Sequence, residues 1–140
     1  MYTRTKRIMD YDRQGVMRET GWIAMENKKE AEDSIKTCIK IAACVCGKDG
    51  VISSAEEKEM LRLCVERYPK CDQNMFESAL TEFFDADDQI EDYVKNIEED
   101  GLRKFALELA ETSASADGLA LRENIALEKV YMIWGIDRNA

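Results

Sequence analysis

Two copies of a helix–turn–helix pattern constrain the fold of this chain more than any other feature. The stretch "CGKDGVISSAEEKEML" has a partner in "ASADGLALRENIALEKV", and the two align when Asp49 is placed on Asp117. Each copy contains an apolar segment of helical periodicity, an Asp-Gly pair, a short turn and a second segment of helical periodicity. A duplicated helical hairpin predicts a bundle with approximate two-fold symmetry, in which the two Asp-Gly turns occupy equivalent places.

The scarcity of residues that break helices supports the same fold class. The 140 residues include one proline, Pro69, and seven glycines, and no stretch alternates at period two for long enough to predict a strand. Hydrophobic residues make up 45% and charged residues 35%, which is typical of a globular domain with its own core. The sequence therefore predicts an all-α, single-domain helical bundle of six to seven helices with two pseudo-symmetric hairpins.

Helical spacing also predicts individual elements. Residues 29–46 are apolar around much of the helix circumference, which is typical of a central helix. The next helix is predicted to begin at Ser53 or Ser54, because Ser53 with Glu56 and Ser54 with Glu57 both fit a capping box. The side chains expected to be buried include Ile39, Ala42, Leu61, Phe76, Phe105 and Leu109.

The chain divides into two predicted parts. Residues 1–28 are expected to form an N-terminal helical extension that is interrupted near Gly15 and Gly21. Residues 29–140 are expected to form the helical domain, whose last helix extends from about Leu121 to Trp134.

The chain contains no histidine, which removes several classes of enzyme. Ser-His and Cys-His nucleophilic pairs, imidazole metal ligands and the commonest general base are excluded. We therefore predict a protein without enzyme activity. The five cysteines are odd in number, so reduced thiols in a cytoplasmic protein are expected. No segment has the roughly 20 consecutive apolar residues that span a bilayer, and no secretory signal is visible.

The first Asp-Gly turn looks like the second half of a calcium-binding EF-hand loop. An EF-hand needs oxygen ligands at loop positions 1, 3 and 5 and a bidentate carboxylate at position 12. In the first copy, positions 1 and 3 fall on Val45 and Gly47, which have no side-chain oxygen. In the second copy, Ser113, Ser115 and Asn124 stand where three carboxylates are needed. An EF-hand is therefore excluded.

The duplicated turn instead resembles the TerB-like family of tellurite-resistance proteins and related bacterial domains. That family is marked by two copies of roughly Ala-Asp-Gly-x-Ile-Ser-x-x-Glu, each between helices. The corresponding stretches here are "KDGVISSAEE" and "ADGLALRENI", and the closing "WGID" is similar to the family's usual ending. The resemblance covers about residues 29–137. It implies an all-helical fold, no established enzyme activity, and a role in stress-response, membrane-associated or phage-defence assemblies.

The resemblance also implies that acidic residues at the turns hold a divalent cation. Carried over by position, the metal ligands are Asp49 and Glu56 in the first turn and Asp117 in the second. Glu123 would substitute for the family's glutamate, because Asn124 stands at the aligned position. Such carboxylates favour a hard cation such as Ca²⁺ or Mg²⁺, and no other cofactor is expected. The alternative stays open that these residues only form turns and cap helices.

Negative charge is concentrated in the middle of the chain. The net charge is −9, and residues 72–100 contain eleven Asp or Glu residues against Lys95 alone. We therefore predict a surface that binds a basic protein partner and does not bind nucleic acid directly. The alternative is that this run of charge is only a solvated face. The predicted partner-binding residues are Asp85, Asp87, Asp88, Glu91 and Asp92.

Together these features predict a non-enzymatic, TerB-like acidic interaction domain that acts in a bacterial or phage stress-response or defence assembly. Any peripheral association with a membrane would then occur through partners. One alternative is a phage or mobile-element inhibitor whose acidic surface binds a basic, nucleic-acid-binding protein. A cation-binding protein whose occupancy changes its structure and a carboxylate-based hydrolase are further alternatives.

Overall fold

The prediction of an all-α fold is confirmed by the computed structural model, which describes the backbone of residues 19–47 and 52–138. Side chains are described for residues 31–47, 52–116 and 118–138. These parts of the chain contain no strand. The helices are α1 Glu19–Cys46, α2 Ser54–Arg67, α3 Gln73–Asp85, α4 Ile90–Val94, α5 Asp100–Ala114 and α6 Leu121–Trp134, and a 3₁₀ turn, Ser115–Asp117, follows α5.

The chain forms two compact units, Met1–Asp33 and Ser34–Ala140. The interruption predicted near Gly21 is wrong, because α1 runs through this residue. Gly15 lies outside the described residues, and the domain boundary predicted after residue 28 stays a prediction. The packing described below belongs to the second unit.

Side-chain oxygens define where several helices begin. Ser53 is the N-cap of α2, and its hydroxyl accepts a hydrogen bond from the Glu56 amide at 3.1 Å. Asp72 is the N-cap of α3, and its Oδ1 accepts from the Met75 amide at 2.9 Å. These oxygens satisfy amides that have no carbonyl partner in the first helical turn. Each of these helix starts is therefore stabilised by a side chain of its own N-cap residue.

Gly47 follows the last residue of α1 and is required for a reason that the sequence did not reveal. Gly47 has no positive φ, so a left-handed conformation does not explain the glycine here. Its amide donates to the Ala43 carbonyl at 2.7 Å. A Cβ at this position would lie 2.9 Å from the Ala43 oxygen and 3.0 Å from Ile52 Cγ1. Close packing therefore demands a residue without a side chain here.

The core lies among helices of the second unit. Helix α2 packs against α3, α5 and the 3₁₀ turn, and α6 packs against α4 and α5. Tyr68, just after α2, places its ring edge-on to Phe105 of α5, with centroids 4.9 Å apart. All five cysteines are thiols rather than disulfides. The largest fully buried side chains are those of Ile39, Ile41, Val45, Met60, Phe76, Val94, Ile97, Leu109, Leu127 and Val130.

The predicted buried face of α2 needs a correction. Five of the six side chains expected in the core are buried, but Leu61 is only half-buried. Leu63 is buried in its place, and Val65 is 43% exposed. Helix α2 packs against α3, α5 and the 3₁₀ turn, so its buried face is set by these neighbours rather than by its own apolar pattern.

Candidate functional site

The two predicted metal-binding glutamates whose side chains are described both act as helix caps. Glu56 is 4% exposed, and its Oε1 accepts a hydrogen bond from the Ser53 amide at 2.9 Å. Glu123 is 8% exposed, and its Oε1 accepts from the Ala120 amide at 2.9 Å. Helix α2, which follows the first Asp-Gly turn, therefore begins with a complete capping box. Helix α6, which follows the second Asp-Gly turn, has only the glutamate half of a capping box, because its N-cap Ala120 has no side-chain oxygen.

The capping geometry shows which glutamate of the second hairpin corresponds to Glu56. The Asp-Gly pairs are 68 positions apart, which aligns Glu56 with Asn124. The N-caps Ser53 and Ala120 are 67 positions apart, and at that spacing Glu56 aligns with Glu123. The second connection is therefore one residue shorter. Glu123 is the structural counterpart of Glu56, and its apparent early position in the sequence is a consequence of this deletion.

The Asp-Gly turns themselves are described only in part. Asp49 lies outside the described residues. Asp117 ends the 3₁₀ turn, but its side chain is also outside them. Gly118 has a φ of 96°, a conformation that side-chain-bearing residues rarely adopt. The second turn therefore requires its glycine for backbone geometry.

The predicted cation site stays a prediction. Within the described side chains, no group of three or more Asp, Glu or Cys residues is arranged so that it could hold a metal ion. The side chains of Glu56 and Glu123 are among those described, whereas those of Asp49 and Asp117 are not. The capping hydrogen bonds give the two glutamates a structural role with no need for a cation.

The five predicted partner-binding residues form what we call the acidic surface: Asp85, Asp87, Asp88, Glu91 and Asp92. It comprises the end of α3, the following loop and the first turn of α4. Asp85, Asp87 and Asp88 are exposed and make no hydrogen bond or ion pair with the described residues. Glu91 and Asp92, in contrast, contact other residues of the fold.

Glu91 and Asp92 hold α4 in place. Glu91 Oε2 lies 2.5 Å from Lys129 Nζ of α6. Asp92 Oδ2 accepts a hydrogen bond from the Gln89 amide at 2.8 Å, so it closes the first turn of α4. Negative side chains in the first turn of a helix are also stabilised by the helix dipole. The sequence did not reveal Lys129 as a partner, because it is far away in the chain.

The negative field of the acidic surface extends to a buried tyrosine. Tyr93 is 6% exposed. Burial, with smaller contributions from the neighbouring Cys44, Asp88 and Asp92, raises the pKa of Tyr93 to about 12. The same field would favour cations or basic side chains that approach from solvent.

Helix α4 has only five residues, and its position depends on contacts with α6. The Trp134 indole donates to the Val94 carbonyl at 3.0 Å, and this hydrogen bond is buried. The Arg103 guanidinium lies 5.3 Å from the centre of the Trp134 ring and donates to the Ile97 carbonyl at 2.8 Å. The acidic surface is therefore carried by a segment that is fixed at both ends of α4.

A surface groove of about 600 Å³ lies elsewhere on the second unit. Leu107, Tyr131 and Ile136 contribute to its lining. Two glutamates at its rim are already paired, Glu108 with Arg67 and Glu111 with Arg138. These two glutamates are therefore held by ion pairs, whereas Asp100 and Lys104 also line the groove.

None of the described helices is long and apolar enough to cross a membrane. Comparisons of the chain with protein-family models, with curated proteins and with solved structures find no match.

Proposed function

We propose that this protein is an acidic, TerB-like interaction domain without enzyme activity, which binds a basic surface of another protein. The observation that carries this proposal is that Asp85, Asp87 and Asp88 are exposed and form no ion pair with a described residue, beside a well-anchored α4. The assembly it serves is a bacterial or phage stress-response or defence assembly, as the TerB-like resemblance implies.

Repulsion among Asp85, Asp87 and Asp88, at the end of α3 and in the loop that follows, supports a role in binding rather than in stability. Carboxylates held close together repel one another, and each neighbouring like pair costs a few tenths of a kcal/mol. Asp85, Asp87 and Asp88 have no hydrogen bond or ion pair with a described residue that would offset this repulsion. Their field would instead accelerate encounters with a positively charged surface, most strongly at low ionic strength.

The duplicated hairpin supports the TerB-like part of the proposal. Both copies place a buried glutamate at the third position of the helix that follows the Asp-Gly turn. The divalent cation implied by the resemblance, Ca²⁺ or Mg²⁺, stays a separate prediction.

The experiment uses a triple variant, Asp85→Asn, Asp87→Asn and Asp88→Asn. These residues have no described partners, so the fold should be unchanged. A partner is captured from the source cells, and its association rate with wild type and variant is measured by stopped flow against ionic strength. We expect the variant to associate about tenfold more slowly at low salt, and the difference to shrink at high salt.

The matched control is Glu57→Gln, Glu77→Gln and Glu98→Gln, which changes the net charge equally at exposed positions outside the acidic surface. It should slow association much less. An association rate that is insensitive both to salt and to the Asp85, Asp87 and Asp88 substitutions would refute the proposal. A captured partner that binds nucleic acid, and is blocked from doing so, would identify the inhibitor alternative.

A further inference from the structure

Phe84 is an exposed aromatic residue beside the acidic surface. It lies in the last turn of α3, directly before Asp85, and it is 51% exposed. The buried side of α3 is provided by Phe76, Ala79 and Leu80. The Phe84 ring is therefore not needed to fill the core, and about half of it is available to a partner.

The Phe84 ring is held in position by neighbouring aromatic side chains. Phe83 meets it edge-on, with ring centroids 5.1 Å apart and planes inclined by 68°. Phe83 is itself half-buried, and its centroid lies 6.3 Å from that of the buried Tyr93 of α4. Aromatic pairs at these distances stabilise one another. We call Phe84, Phe83 and Tyr93 the aromatic row, and Phe84 is its exposed end.

Negative charge that is not neutralised lies next to the aromatic row. Asp85 adjoins Phe84 in the chain, and Asp87 and Asp88 follow in the loop. All three are exposed and form no hydrogen bond or ion pair with a described residue. The charge of Asp88 contributes to the raised pKa of Tyr93, so this carboxylate lies near the row. An aromatic ring is thus presented together with uncompensated carboxylates.

The C-terminal end of α3 adds to this negative charge. A helix of 13 residues has a partial negative charge at its C-terminus, where several carbonyls have no helical partner. A basic side chain in the last turn commonly offsets this charge. The last turn of α3 contains none and ends on Asp85 instead. A cation that approaches Phe84 is therefore favoured by the helix as well as by the aspartates.

The second hairpin of the same chain shows how such groups hold an arginine. The Arg138 guanidinium lies 5.5 Å from the centre of the Tyr131 ring. The same guanidinium lies 3.3 Å from a Glu111 oxygen and 2.9 Å from a Glu128 oxygen. One ring and two carboxylates therefore bind one guanidinium. The surface at Phe84 offers the same kinds of group, and no described arginine pairs with its three aspartates.

Arginine complements this surface better than lysine does. A guanidinium is planar and weakly hydrated, so it can stack on a ring while its N–H groups donate to carboxylates. An ammonium is a compact, strongly hydrated charge, which pairs with carboxylates but gains less from a ring. An anionic lipid surface or a second copy of this chain, with its net charge of −9, would instead be repelled.

We propose that the basic partner presents an arginine whose guanidinium stacks on Phe84 and donates hydrogen bonds to the neighbouring aspartates. The inference rests on the proposed function and specifies the chemistry of its partner, which is an arginine-containing segment rather than a lysine-rich one. The carboxylates of Asp85, Asp87 and Asp88 account for the salt-dependent attraction, and the Phe84 ring accounts for the preference for arginine.

The probes are two synthetic peptides, in one of which arginines alternate with glycines and in the other lysines. They have equal length and charge, so general attraction to an acidic protein is the same for both. Binding of each labelled peptide to the full chain is measured by fluorescence anisotropy. We expect the arginine peptide to bind about fivefold more tightly, as a cation–π contact at an exposed site allows. Raising the salt concentration should weaken both.

The test variant is Phe84→Leu, which removes the aromatic face and keeps an apolar side chain at an exposed position. Its circular dichroism spectrum and Tm should change little. It should lose most of the preference for arginine and retain the salt dependence. The matched control is Phe84→Tyr, which keeps the ring and should keep the preference. The triple variant Asp85→Asn, Asp87→Asn and Asp88→Asn should bind both peptides more weakly, with a smaller dependence on salt.

The outcomes separate this inference from the proposed function. Equal, salt-dependent binding of the two peptides to wild type overturns the inference and leaves the proposed function standing. An arginine preference that is as large in Phe84→Leu as in wild type also overturns it. A preference that is lost in Phe84→Leu, with binding that is insensitive to salt and to the triple variant, supports the role of the ring and contradicts the acidic-surface proposal. If neither peptide binds at low salt, both proposals are wrong.

Discussion

At the scale of single residues, the two buried glutamates occupy positions where a carboxylate can act either as a helix cap or as a cation ligand. Glu56 and Glu123 stand where the TerB-like resemblance expects cation ligands, and both accept a hydrogen bond from the N-cap amide of their own helix. The amide needs an acceptor because the first helical turn provides none. The structural role is thus sufficient to explain a carboxylate at each position.

Substitution of Glu56 separates the capping role from the ligand role. Glu56→Ala removes the acceptor and should lower the free energy of unfolding by about 1–2 kcal/mol. Glu56→Gln keeps an acceptor oxygen and should cost less than half as much, since glutamine also serves at this position of a capping box. Urea denaturation measures both, and the exposed Glu57→Gln is the control.

The same variant tests the predicted cation. If the role is capping alone, titration calorimetry with Ca²⁺ or Mg²⁺ should give the same heats for wild type and for Glu56→Gln. A binding heat that is present in the wild type and lost in Glu56→Gln would instead make this carboxylate a ligand, because an amide oxygen is a weaker ligand for hard cations.

At the scale of elements, a charged clamp joins α1 to α3. Lys40 Nζ lies 2.7 Å from Glu82 Oε1, and Lys36 Nζ lies 3.0 Å from Glu82 Oε2. Lys36 also donates to the Ser78 hydroxyl at 3.1 Å. The hydrogen bonds from Lys40 and Lys36 lower the pKa of Glu82 from its ordinary value of 4.5 to about 2. The clamp therefore favours the charged glutamate in the folded state.

The clamp predicts a pH-dependent stability. Because the pKa of Glu82 is lower in the folded state, its contribution is present above about pH 4.5 and is lost as the pH falls towards 2. The Glu82 side chain is 47% exposed, so solvent screening reduces the contribution to about 0.5–1 kcal/mol. Glu82→Gln should be less stable than wild type by this amount at pH 7 in urea denaturation.

The difference between wild type and Glu82→Gln should shrink below pH 4.5 and in 1 M salt, which screens the ion pairs. Glu77→Gln on the same helix is the control, because Glu77 accepts a hydrogen bond from the Gln73 amide group and has no ion pair with a described residue. A difference that stays constant from pH 7 to pH 3 would contradict the clamp.

At the scale of the whole molecule, the two hairpins are joined through the packing of α2 on α5. Phe105 lies in this contact, is 5% exposed and meets the ring of Tyr68 edge-on. Aromatic pairs in this geometry are stabilising beyond the area that they bury. Phe105 thus links the second hairpin to the end of the first.

Truncation of Phe105 should therefore affect the entire domain. Phe105→Ala should lower the free energy of unfolding by about 3–5 kcal/mol, from lost burial and the cavity that remains. Phe84→Ala is the matched control, because Phe84 is 51% exposed and should cost about 1 kcal/mol or less. Chemical denaturation followed by circular dichroism gives both values. Equal losses for the two variants would show that Phe105 is not a core residue.

The sequence by itself determined the all-α class and the last helix from Leu121 to Trp134, and it narrowed the cap of α2 to Ser53 or Ser54. These features depend on periodicity and on side chains that bond within one helical turn, so a local pattern contains them. Most of the predicted core followed for the same reason. The acidic residues were also visible, because charge can be counted along a chain.

Only the tertiary structure decided which faces meet and which charges are paired. Leu61 and Leu63 could not be ranked from the apolar pattern of α2, since the neighbours of that helix select its buried side. The pairing of Glu91 with Lys129 joins residues far apart in the chain. Leu121, Ile125 and Met132 are exposed because the opposite side of α6 fills the core. Such facts depend on long-range packing, which no local pattern records.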